Sequence, residues 1–385
     1  MTAEPSNGQR LLQARRVVLK IGSALLVDRG SGTLHREWLE GLCADVTALR
    51  ERGQEIIIVS SGAVALGIRR LDIDSRRARL HDHQAAAAIG QIQLAHAYEE
   101  MLGRFGFTAA QILLTLDDSE SRRRYLNAAS TLFALLKYGA IPVVNENDTV
   151  ATQELRYGDN DRLAARVAQM VSADCLILLS DVDGLYTADP QQDASARHVP
   201  EVLKLTKSHW DMAGGPGSRD GSGGMRTKLD AARIAMGAGC QMIITSGRVL
   251  RPIRALLDGA RSTWFLPDST PRAARKQWIA GTLKPKGAVS LDRGAATALA
   301  SGRSLLPAGI TRVEGSFERG DAVRVLDSDG NELGRGLIAY AADEARAIIG
   351  KRSTAIVDIL GYRGRDEMIH RDDLVLTQQQ TGRIS

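Results

Sequence analysis

Short apolar runs that stop abruptly at polar residues recur along the chain, separated by ten or more residues with helical spacing. Runs this short, rich in Val, Ile and Leu and without strict alternation, read as strands buried on both faces. They predict strands near 17–20, 55–60, 108–114, 141–145, 175–179 and 241–245. Between them the pattern predicts helices over 36–52, 84–105, 121–138, 161–172 and 228–239, the second of them rich in alanine. Strand and helix in alternation define an α/β class: a mainly parallel sheet with helices on both faces, a three-layer αβα sandwich.

The texture changes at 267–285, where prolines, a basic helical piece RAARKQWIAG and then KPKG follow one another. Composition shifts of this kind mark domain boundaries. Beyond it come short strands and turns, with Asp329 and Gly330 between two apolar segments as a hairpin signal. The expected organisation is a first domain over 15–266, a linker over 267–285, a small β-rich module over 286–364 and a tail over 365–385.

Polar residues gather where the strands end. In parallel sheets, ligands bind outside the carboxyl ends of the strands. The first run ends at Lys20, followed by Gly22 and Ser23; the second ends at Ser60, Ser61 and Gly62. The run IPVVNENDTV ends in Asn145, Glu146, Asn147 and Asp148, and CLILLS opens at Ser180 and Asp181 into a hairpin. Asp159, Asn160 and Asp161 precede a helix, where one of them would suffice as an N-cap. The segment GSGGMRTK at 221–228 frees the backbone with glycines, precedes a helix and adds the charge of Lys228, a combination suited to cradling phosphates. It is not a Walker A loop, because three residues separate Gly224 from Lys228.

Length and composition narrow the picture further. The 385 residues suffice for two domains with buried cores. A formal charge of +5 suits anionic small molecules as well as nucleic acid. Cys43, Cys175 and Cys240 are odd in number, far apart and set in apolar runs, so they read as buried hydrophobes of a reducing compartment. The basic runs at 69–79 and 122–124 read as solvated helix faces, and His81 and His83 as surface histidines without a third metal ligand. No apolar run reaches membrane-spanning length and the N-terminus lacks a signal core, so a cytoplasmic protein is expected.

In order and spacing, VVLKIGS, SSGAVALG, QILLT, VNENDTV, GDND, LLSDVDGLYTADP and GSGGMRTKLDAA together resemble the amino acid kinase family, and the C-terminal segment is similar to the PUA domain. The resemblance implies ATP as co-substrate with Mg2+, and transfer of a phosphoryl group to the γ-carboxylate of L-glutamate in the first committed step of proline synthesis. It implies Lys20 and Lys228 on opposite sides of the transferred group with Asp161 as organiser between them, and a glutamate pocket of Ser61, Asp148 and Asn160. It implies a nucleotide site of Lys20, Ser180, Asp181, Ser222, Gly223, Gly224, Met225, Arg226, Thr227 and Lys228, and no protein-held metal site. A homo-oligomer and feedback inhibition by proline are further implications. Ser60 and Ser222 stand where threonine is common, and the hydroxyl is retained.

The chemistry of the residues agrees with this expectation. A carboxylate acceptor, with a pKa of about 4.3, is ionised at neutral pH and needs no general base. No histidine lies in the strand-end clusters. Asp148 suits a free ammonium, which an N-acetylated substrate would lack. A phosphorylated acceptor would call for an arginine cluster at the strand ends, and the sequence has none there. The rival reading is an RNA-binding regulator or RNA-modifying protein acting through the PUA-like segment. Such a role calls for a strongly basic surface with exposed aromatics, whereas residues 286–364 mix acidic with basic side chains.

Overall fold

Val- and Ile-rich runs become strands because branched side chains pack well on both faces of a pleated surface. A computed structural model describes residues 7–28, 30–74, 77–150, 160–213, 224–281 and 284–377. The chain divides into two units, Met1–Pro271 and Arg272–Ser385. The first contains β1 (Arg16–Ile21), β2 (Glu55–Val59), β3 (Ala109–Leu114), β4 (Ile141–Glu146), β5 (Cys175–Ser180), β6 (Leu185–Tyr186), β7 (His198–Val199), β8 (Glu201–Val202), β9 (Gln241–Ser246) and β10 (Ser262–Phe265). Eight of them form one sheet in the order β3-β4-β2-β1-β5-β9-β10-β8.

From β3 to β9 all neighbours are parallel; β10 runs antiparallel to β9, and β8 parallel to β10. β6 and β7 form the antiparallel hairpin expected after Ser180 and Asp181. The chain steps from β1 to one side for β2, β4 and β3 and returns on the other side for β5 and β9. The order reverses at β1, which is where such sheets open a ligand crevice.

Strand periodicity divides the core between the faces. Val17, Leu19 and Ile21 of β1 join Ile56 and Ile58 of β2 and Ile177 and Leu179 of β5 on one face. Val18, Ile57, Val59, Leu176 and Leu178 lie on the other, under the helices Asn160–Met170 and Met225–Gly237. Those two helices pack together, and their alanines Ala164, Ala168, Ala231 and Ala235 are buried in the same core.

Two more helices, Ala63–Arg70 and Leu80–Arg104, cross at paired glycines. A Cβ on Gly67 would strike the Ala86 carbonyl, and one on Gly90 would strike the Ala63 carbonyl. The longer helix starts at Leu80, ahead of the expected 84, because the Asp82 carboxylate accepts from the Arg79 N–H at 2.8 Å and closes its first turn. His81 is exposed and His83 half-buried in that turn. All three cysteines are free and buried. No helix among the described residues is long and apolar enough to cross a membrane.

The second unit is built on β11 (Gly287–Leu291), β12 (Ile310–Gly315), β13 (Ala322–Leu326), β14 (Glu332–Leu337) and β15 (Leu374–Leu376), in the order β12-β11-β13-β14-β15. β13 and β14 form the hairpin expected at Asp329 and Gly330. The arrangement differs from the sequence expectation at both of its borders. The basic helix expected within a linker, Pro271–Gly281, buries Ile279 against Ala322 and Leu337 and so belongs to this unit's own packing. Residues 365–377, expected as a tail, carry the fully buried Met368 and Ile369 and the strand β15 that completes the sheet against β14. Three apolar residues, LVL, are too short a run for the pattern to announce a strand.

Candidate active site

Side-chain alternation along β1 decides where Lys20 goes. It shares the parity of Val18, so it emerges on the face covered by the helices Asn160–Met170 and Met225–Gly237. β1 lies between β2 and β5, with Lys20 opposite Val59 and Leu178, at the point where the strand order reverses. Both helices aim their N-terminal turns at this strand end, one bringing Asn160 and Asp161 and the other Lys228.

These residues meet. The Asp161 carboxylate lies 2.6 Å from Lys20 Nζ through Oδ1 and 3.1 Å from Lys228 Nζ through Oδ2. All three side chains are less than one-tenth exposed, at 9%, 2% and 7% for Lys20, Asp161 and Lys228. The Thr227 hydroxyl adds a bond to Asp161 Oδ2 at 3.3 Å. Burial on its own would raise the Asp161 carboxyl. The charges of Lys20 and Lys228, and then their hydrogen bonds, outweigh it and hold the group below the ordinary carboxylate range. Two buried ammoniums converge on one carboxylate, an arrangement able to hold an anion in a dry site.

Asn160 is tied in on the opposite flank. Its Nδ2 donates to the Ser60 carbonyl, to Ser61 Oγ at 2.9 Å and to Asn145 Oδ1 at 2.9 Å. Asn145 Oδ1 also accepts from the Glu146 N–H at 2.9 Å, while its Nδ2 donates to Gln91 Oε1 at 2.7 Å. Ser60 Oγ and Tyr98 OH share a bond of 3.0 Å. Gly62 takes φ 106° to begin the helix Ala63–Arg70, and this turn presents Ser60 and Ser61 to Asn160.

Asp148 sits half-buried just beyond β4 with no partner among the described residues. Burial is the influence acting on it, and with nothing to oppose it the carboxyl is pushed up to about 6. A carboxyl in this condition favours the arrival of a cation.

At the end of β5, Ser180 is buried and donates from Oγ to Asp181 Oδ1 at 3.0 Å, while Asp181 itself is exposed. The Ser180 carbonyl accepts from the Gly247 N–H at 2.7 Å. Ser222, Gly223 and Asp159 lie outside the described residues. The helix expected from 228 starts earlier, at Met225. Gly224 is its extended N-cap, and the Thr227 hydroxyl donates to the Gly224 carbonyl at 2.8 Å, which closes the first turn. Met225, Arg226 and Thr227 therefore stand in that turn, where backbone N–H groups lack helical partners, and Arg226 reaches over the Trp210 ring at 6.0 Å. Asn160 likewise opens its helix, so its side chain works in the tertiary network and does not cap.

Lys20, Lys228 and Thr227 thus meet on Asp161, and Ser61 meets Asn160, the residue before Asp161 in the chain. Asp148, Ser180 and Asp181 stand at the ends of β4 and β5. Gln91 and Tyr98 carry no signal in the sequence, because both lie in an alanine-rich helical run whose polar positions read as a solvated face.

Residues 15–246 match the model of the amino acid kinase family, and residues 287–360 match that of the PUA domain. The chain is 63% identical over 366 residues to a glutamate 5-kinase of Paramagnetospirillum magneticum, across 95% of this chain and 99% of that protein. It is 59% identical over 359 residues to a glutamate 5-kinase of Rhodospirillum rubrum, across 93% of this chain and 96% of the relative. It is 57% identical over 370 residues to glutamate 5-kinase 1 of Rhizobium meliloti, across 96% and 94%.

Proposed function

The chain belongs to the amino acid kinase family, and from that premise we propose that it transfers the γ-phosphoryl group of ATP to the γ-carboxylate of L-glutamate, giving ADP and γ-glutamyl phosphate. This is the first step of proline biosynthesis. The observation that carries the reading is the buried Lys20–Asp161–Lys228 arrangement at the carboxyl end of β1.

Phosphoryl transfer passes through a loose transition state whose charge spreads over the oxygens of the moving group, so catalysis is mostly alignment and fixed positive charge. In this reading Lys20 and Lys228 flank the group in flight. Asp161 keeps the two ammoniums from repelling each other and fixes their directions. The site needs no base, because the attacking carboxylate is already ionised.

The acceptor lies toward the ends of β2 and β4. Asp148 pairs with the substrate ammonium, and Ser61 and Asn160 orient the amino acid. The nucleotide lies toward β5 and the Met225–Gly237 helix, with Ser180, Asp181 and residues 222–228 against its phosphates and base. Magnesium belongs to this reading as the companion of ATP. Both Asp161 oxygens face lysines, and among the described residues no group of three His, Cys, Asp or Glu side chains is placed to hold a metal ion.

Release of ADP from ATP, followed across L-glutamate, N-acetylglutamate, carbamate and nucleoside monophosphates, tests the proposal. Turnover with L-glutamate alone is expected, and its absence would overturn the reading. The same assay with added proline, and sedimentation of the full chain, test the feedback inhibition and homo-oligomer that belong to this reading.

A further inference from the structure

The polarity of the acceptor-side amides is fixed by two backbone groups whose roles admit no ambiguity. The Glu146 N–H is a donor, so the Asn145 atom that meets it at 2.9 Å is the oxygen. The Ser60 carbonyl is an acceptor, so the Asn160 atom that meets it is the nitrogen, which also satisfies Asn145 Oδ1. Asn145 Nδ2 must then face away from both, and it finds Gln91 Oε1 at 2.7 Å. Asn145 is only 2% exposed, so without Gln91 its amide N–H would be buried unpaired.

We propose that Gln91 is a positioning residue of the acceptor pocket, acting through Asn145 to hold the Asn160 amide with its nitrogen turned inward and its oxygen left for the substrate ammonium. Gln91 reaches this place because the Gly67–Gly90 crossing drops its helix onto the turn that carries Ser60 and Ser61. With Nδ2 committed to three protein acceptors, Asn160 has Oδ1 alone to offer a ligand, and in the proposed pocket this acceptor together with the Asp148 carboxylate favours a charged ammonium over an uncharged acylated nitrogen. Release of the Asn145 amide lets Asn160 tilt, and the loss falls on glutamate binding more than on the chemical step.

This inference rests on the reading of the pocket as the glutamate site. Steady-state kinetics of the full chain with Gln91→Met test it. The Michaelis constant for glutamate is expected to rise about three- to tenfold, the effect of one neutral hydrogen bond, with kcat and the constant for ATP changed by less than about twofold. The double variant Gln91→Met with Asn145→Ala is expected to match Asn145→Ala alone, because Gln91 acts only through that amide. An unchanged glutamate constant would overturn the inference, as would an equal rise in the ATP constant. Additive effects in the double variant would overturn it too. Should Asn145→Ala fail to fold, the split between the two constants in Gln91→Met still decides. Failure of the wild-type chain to turn over glutamate would instead sink the reading of the pocket, so the two failures are distinguishable.

Discussion

Lys228 and Asp148 are the residues at which the proposed roles are most exposed to test. Lys228 acts on charge that develops during transfer, so Lys228→Ala is expected to lower kcat by roughly two to three orders of magnitude while the glutamate Michaelis constant stays within a fewfold. An unchanged kcat would remove the lysine from the mechanism. For Asp148 the sign follows from its raised carboxyl, at about 6 against an ordinary 3.8. Only the ionised form pairs with an ammonium, so the glutamate constant is expected to be flat above pH 6 and to climb as pH falls below it, and Asp148→Asn should raise it and abolish that climb. The raised group also binds its proton more tightly in the folded chain than in the unfolded one. The stability it contributes is present below about pH 4 and lost as pH rises through 6, so at pH 8 Asp148→Asn should stabilise the unliganded chain, by at most about 3 kcal/mol in a denaturant titration.

Lys20 and Lys228 were legible as candidates because they stand at a strand end and a helix start, whereas the place of Asp161 between them was implied only by the family resemblance. Gln91 was not legible, because a glutamine on a long helix points inward or outward according to a packing partner that local spacing does not reveal. The same holds for Tyr98, whose phenol is buried against Ser60 and raised by burial.

Among the elements, the crossing of the helices Ala63–Arg70 and Leu80–Arg104 is the least tolerant contact on the acceptor side. No methyl fits at Gly67 or Gly90, since each would meet a carbonyl of the opposing helix. Gly90→Ala favours the helix by intrinsic propensity by about 1 kcal/mol, yet overpacking costs about 1–3 kcal/mol or more, and the second effect is expected to win. A fall in the denaturation midpoint together with a raised glutamate constant would bear this out; a more stable protein would show that the helices can part without consequence. Pattern recovered the central strands because each is a buried apolar run five or six residues long. It missed β10, a four-residue strand whose tryptophan and phenylalanine are buried through pairing with β9, a contact distant in sequence.

At the scale of the whole chain, the division falls at Pro271, and every residue assigned to the reaction precedes it. A chain ended after Pro271 is therefore expected to retain glutamate-dependent ADP release, and loss of turnover in a folded truncation would implicate the second unit in the reaction. Ending the chain at 364, as the sequence pattern suggests, is expected to unfold the second unit. It removes Met368, Ile369 and β15, and it strips Arg275 of Asp373, to which it bonds through Nε at 3.1 Å. Calorimetry of that truncation should lack a transition that the full chain shows.

The reversal of strand order at β1 has a consequence for how this catalyst can change. Under the proposed assignment, the groups that recognise the acceptor come from the stretch between Ser60 and Asn160, and those that recognise the nucleotide come largely from Ser180 onward; Lys20 and Asp161 stand at the seam. Directed evolution toward a different acid could be confined to the earlier stretch, with the ATP-handling half kept constant as an inherited module.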